Sequence, residues 1–154
     1  MTTWTIRPTT VTLAAGVDVL AVLVFAAVGR SSHAEVVDAF GVLTTAAPFL
    51  LGLLVGWLVI RAWRAPLRLP VGVAVWAGVV VIGLGIRAAY THRLPLTFML
   101  IAAASLALLL LGWRAVARLI ARSRGQSAAK GGAFNNALRL GVPPGRPGRR
   151  FHQR

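Results

Sequence analysis

Four long apolar runs separated by short polar breaks set the pattern of the chain. They lie at about 11–28, 42–60, 71–90 and 96–113, each close to the roughly 17–25 residues that a helix needs to cross the hydrocarbon core. None shows the two-residue alternation of a barrel strand, so each is predicted to be a helix that satisfies its backbone hydrogen bonds within its own segment. The breaks are Gly29 to Gly41, the stretch RAWRAPLRLP at 61–70, and THRLP at 91–95, which is short enough to join spans three and four as a tight hairpin. The expected fold class is all-α: a polytopic membrane protein with a short N-terminal segment (1–10) and a four-helix transmembrane bundle over 11–114.

After Trp113 the pattern changes. WRAVARLIARSR sets Arg114, Arg118 and Arg122 four apart on one helical face, with Val116, Leu119 and Ile120 on another. Residues 115–124 therefore read as a juxtamembrane basic amphipathic helix or a cytosolic extension of span four, with those three arginines at the membrane surface. From Gly125 the sequence is Gly, Pro, Ser, Asn and Arg without an apolar period, and 125–154 is expected to be a disordered basic tail.

Composition agrees with a membrane location: 57% of residues are hydrophobic and only 13% charged, against roughly 45–50% apolar in soluble domains. The 17 Lys+Arg and 3 Asp+Glu are placed unevenly, and that placement predicts orientation. Short loops rich in Lys and Arg stay in the cytoplasm. Arg61, Arg64 and Arg68 lie in the second loop, Arg114 to Arg124 open the tail, and Arg7 precedes span one, while the other side has little beyond Arg30 and Arg93. Both termini are expected to be cytoplasmic. Trp57, Trp63, Trp76 and Trp113 fall towards the same ends, as headgroup anchors do. A cleaved signal peptide competes for the first run, but that run exceeds the usual h-region of roughly 7–15 residues and contains Asp18. Nearly all the basic residues are Arg, a usage associated with bacteria of high-GC genome, so the inner membrane is the expected location. The absence of cysteine excludes disulfides, a Cys metal knuckle and a thiolate nucleophile.

Asp18 is the first candidate for chemistry. A mid-span Asp costs about 2.5–3.5 kcal/mol on insertion scales, which each Leu, Ile, Phe or Val offsets by about 0.3–0.6. Asp18 shares a helical face with Ala14, Ala15, Ala21 and Phe25, a small-residue stripe suited to close packing, so its carboxyl should face the bundle. Burial there favours the neutral acid unless a cation is near. Two readings follow: a carboxyl that fixes helix register, or a proton or cation site. Arg87, on a stripe of span three with Gly72, Gly83 and Tyr90, lies about 10 Å outward of its span's centre, where it can snorkel to headgroups. A direct Asp18–Arg87 pair needs a vertical shift, a tilt or a bridging water. Arg30 is placed at the outer mouth. His33, Glu35, Asp38 and His92 share that side, but their spacing favours a solvated loop over a metal site or a nucleophile and base, so no metal and no cofactor are expected. Gly52 and Gly56 form a GxxxG that reads as packing, within the bundle or between the copies of a homodimer, with Gly83 as a further packing position. Pro48 and Pro95 read as helix-start residues. The tail suits anionic lipid headgroups and shows no nucleic-acid code.

Residues 15–114 resemble the small bacterial and archaeal four-span proteins grouped as domain of unknown function 3054. The resemblance rests on Asp18, Phe25, Gly29-Arg30, His33, Pro48-Phe49, Gly52, Gly83, Arg87, Phe98 and Gly112-Trp113-Arg114. It implies four helices in a membrane and supplies no activity or ligand. The architecture is also similar to that of small multidrug transporters, which carry one acidic residue in span one; here it is Asp and not Glu, and the loops and tail are longer. Two functions from different classes are consistent with these residues, and no enzyme activity is expected. One is a small transporter or channel-like protein in which Asp18 binds or relays a proton or cation, Arg87 tunes the outer gate and His33 sits at its mouth. The other is a non-catalytic membrane scaffold or accessory subunit with a lipid- or partner-binding basic tail.

Overall fold

The computed structural model describes residues 8–32, 38–91 and 95–139. Helices α1 (Pro8–Ser32), α2 (Ala39–Val59), α3 (Leu69–Thr91) and α4 (Leu96–Arg139) follow in order, with one 3-10 turn at Ala62–Arg64. Each helix contains a stretch long and apolar enough to cross a membrane. The protein is an all-helical, multi-pass membrane protein.

Local chemistry sets the helix ends. Pro8 opens α1, where its missing N–H is an orphan in any case. Asp38, in extended conformation, caps α2: its carboxylate accepts a hydrogen bond from the Gly41 N–H at 2.9 Å. Pro95 immediately precedes α4, and its carbonyl accepts from the Met99 N–H at 3.2 Å. This agrees with its reading as a start residue. Pro48 does not: capping by Asp38 starts the helix early enough to place Pro48 inside α2. There it leaves the Thr44 carbonyl without its usual i+4 donor, a loss tolerated in membrane helices where neighbours compensate.

Residues 1–117 and 118–154 form two compact units. In the first, α2 packs against both α1 and α3. The GxxxG residues face α3: a Cβ added at Gly52 would lie 3.0 Å from the Val79 Cα, and one added at Gly78 would lie 3.3 Å from the Gly56 Cα. Gly83 makes room for the Phe49 ring, which meets Phe25 edge-on with centroids 5.1 Å apart. The core is completed by Val22, Ala46, Val75, Val79, Leu106 and Leu110, none more than 2% exposed. Outside it, Leu13, Val81 and Leu108 are at least 70% exposed, as expected of a surface whose solvent is lipid. The second unit is, in its described part, helical backbone that reaches Arg139. The tail expected from Gly125 is thus helical over 125–139. Ala128, Ala129, Ala133, Ala137 and Leu138 favour helix, and the first proline after Pro95 is Pro143.

Candidate functional site

Asp18 lies on the buried stripe of α1 with Ala14, Ala21 and Phe25, so the carboxyl faces the bundle as its small-residue neighbours require. Its partner is Arg114 of α4. Nη1 donates to Oδ1 and Nη2 to Oδ2, both at 2.7 Å, a bidentate pair with both side chains 0% exposed. Two indoles complete the shell: Trp57 Nε1 donates to Oδ2 and Trp113 Nε1 to Oδ1, each at 2.9 Å. Each carboxylate oxygen therefore accepts two hydrogen bonds, which fills the roughly four lone-pair sites of an ionised carboxylate.

Arg114 is equally committed. Nε donates to the Pro66 carbonyl at 3.0 Å and Nη1 also donates to the Leu110 carbonyl at 2.7 Å. The guanidinium carbon lies 4.6 Å from the Trp113 ring centroid, a cation–π distance. Gly72 of α3 clears the path of the arginine stem, since a Cβ there would sit 2.7 Å from Arg114 Cδ. Among the described residues no buried side-chain nitrogen or oxygen lacks a partner. Four segments, α1, α2, α4 and the α2–α3 connection, thus meet at one neutralised charge pair.

Several expectations are corrected here. Arg114 is enclosed by the bundle rather than exposed on a basic helix face, because Asp18 and the Pro66 and Leu110 carbonyls take up its guanidinium. Asp18 pairs with it and not with Arg87. Trp57 and Trp113, read as headgroup anchors, point their N–H groups at Asp18, and Trp76 donates to the Ala103 carbonyl of α4 at 2.9 Å; Trp63 is 40% exposed.

Arg87 and Arg30 lie together at the other end of the bundle, lining a cavity of about 720 Å³. Arg118 is half-buried and Arg122 exposed, in the second unit. Gly52, Gly56 and Gly83 sit at helix contacts within the chain. His33, Glu35 and His92 lie outside the described residues, and among the described residues no cluster of His, Cys, Asp and Glu could hold a metal ion. Sequence reasoning missed Trp57, Trp113 and Arg114 as ligands of Asp18 and Asp38 as a cap. Asp38 three residues before Gly41, at the head of an apolar run, was a readable cap signal.

The model of the family described as Protein of unknown function (DUF3054) matches residues 15–117, a span that includes Asp18 and Arg114. No curated protein matches the chain, and no solved structure matches it.

Proposed function

For a chain that belongs to the DUF3054 family, whose function is unknown, we propose a non-catalytic membrane scaffold or accessory protein in which Asp18 is a structural lock and not a transport site. One observation carries this reading: both Asp18 oxygens are already occupied by Arg114, Trp57 and Trp113, at zero exposure. A carrier carboxylate must exchange its proton or ion with water from one side and then the other. Asp18 has no vacant lone pair and no exposed surface, so exchange with water would have to displace donors from this shell. The other described acid, Asp38, caps a helix. The reading includes cytoplasmic termini, supported by the loop arginines, and attraction of anionic lipid by the exposed Arg122 and Arg124.

Asp18→Asn separates the two functions. In proteoliposomes, proton and cation flux through wild type and variant should equal that of empty vesicles, while the variant unfolds at a clearly lower temperature in detergent. Coupled flux in the wild type that vanishes in Asp18→Asn at unchanged stability would falsify the lock.

A further inference from the structure

The cavity at the opposite end of the bundle has a chemistry of its own, independent of the reading of Asp18. Its polar lining includes Arg30, Arg87 and Thr45, and its apolar lining includes Phe25, Phe49 and Phe98. Arg30 is braced: Nη1 donates to Thr45 Oγ1 at 3.4 Å, and Nη2 lies 3.9 Å from Asp38 Oδ1. Arg87 is not braced in this way. Its guanidinium carbon lies 4.7 Å from the Phe98 ring centroid, and among the described residues no carboxylate pairs with it.

A half-buried guanidinium that no described carboxylate neutralises is costly close to hydrocarbon. Arg87 lies four residues before the end of α3, about 6 Å along the helix, within a helix long and apolar enough to cross a membrane. Phe25 and Phe49, farther from their helix ends than Arg87 is from its own, supply apolar lining. At about 720 Å³ the space falls within the roughly 300–1,000 Å³ of small-molecule sites, which are mostly apolar with a few oriented polar groups.

We propose that this cavity binds an amphiphilic oxyanion, a carboxylate or phosphate head held by Arg87 and Arg30 with its acyl chain along Phe25, Phe49 and Phe98. Guanidinium forks suit both head types because their paired N–H groups match oxyanion geometry. The head neutralises Arg87, and the chain fills space that water cannot solvate well.

The full chain, purified in neutral detergent and delipidated, is titrated in turn with oleate, phosphatidylglycerol, phosphatidylcholine and inorganic phosphate, with native mass spectra and unfolding temperature as readouts. Binding of oleate or phosphatidylglycerol in preference to phosphatidylcholine is expected, weakened at least about tenfold in Arg87→Gln, as loss of a charge-assisted contact requires. Thr97→Trp, at an exposed position lining the cavity, should block the chain with both arginines in place, and it serves also if Arg87→Gln does not fold. Oleate alone would identify a free acyl anion as the source; phosphatidylglycerol alone would identify a bilayer lipid. The proposal is overturned if neither anion binds, if phosphatidylcholine binds as well, if inorganic phosphate binds as tightly as the amphiphiles, or if a folded Thr97→Trp protein binds like wild type.

Discussion

Asp18 and Arg114, 96 positions apart in sequence, meet through two parallel 2.7 Å hydrogen bonds inside a helix bundle that exposes neither. Each alone would burden its helix with a charge in an apolar medium; together they carry no net charge and bring their own hydrogen-bond partners. The pair joins the first helix to the last. Through Trp57 and Pro66 it also ties in α2 and the α2–α3 connection.

Removing one partner should therefore cost far more than removing both. Arg114→Met leaves Asp18 buried with only two indole donors, and an orphaned buried charge costs about 3–5 kcal/mol. Asp18→Leu combined with Arg114→Met strands no charge and should recover a large part of that loss, short of full recovery because Trp57 and Trp113 lose their acceptor. Unfolding midpoints of both proteins in one detergent provide the comparison. A double variant no more stable than Arg114→Met would mean that the shared charge is not what holds these helices.

The bundle was legible because its signals are local: run length, run separation, and the small residues beside Asp18 that faced its carboxyl inward. The lock was not, because no local pattern links residues so far apart, and the row Arg114, Arg118, Arg122 suggested a surface face. Helix heights contained the missing information. Measured from their common end of the bundle, Asp18 lies fourteen residues before Ser32 and Arg114 eighteen after Leu96, which at about 1.5 Å per residue differ by only about 6 Å. Arg87, four residues before Thr91, is about 15 Å from the level of Asp18, beyond the reach of its side chain. The indoles were misplaced for a related reason: an aromatic near a span end reads as an anchor whether its N–H finds a headgroup or a buried acid.

The glycines of α2 and α3 divide into two kinds, and substitution should separate them. Gly52→Val drives a branched side chain into the Val79 backbone, where a Cβ alone already lies at 3.0 Å. The cost should be about 1–3 kcal/mol, since overpacking against backbone cannot be relieved by a rotamer change. Gly85→Ala meets nothing within 4 Å and should stabilise α3 by up to about 1 kcal/mol, as glycine is the poorer helix former. Thermal unfolding in detergent measures both. Gel filtration adds the decisive check on where the GxxxG acts: packing within the chain predicts that Gly52→Val lowers stability without changing oligomeric state.

Arg61 offers a gain in place of a loss. Among the described residues it is the one non-glycine with positive φ, at 50° with ψ 52°, and it turns the chain out of α2 into the 3-10 turn. Its N–H donates to the Leu58 carbonyl at 3.2 Å, so the backbone needs this conformation to close the helix. A side chain in left-handed geometry costs roughly 1–2 kcal/mol, which glycine does not incur, although glycine loses part of that advantage through greater freedom when unfolded. Arg61→Gly should thus raise stability by about 0.5–1 kcal/mol. Under the proposed orientation, Arg64 and Arg68 remain to retain the loop on the cytoplasmic side. Unchanged accessibility of a cysteine introduced at Ala65, in a chain that has no cysteine of its own, would show that the gain comes from the backbone alone. A lower unfolding temperature would instead assign Arg61 a stabilising contact that outweighs its strain.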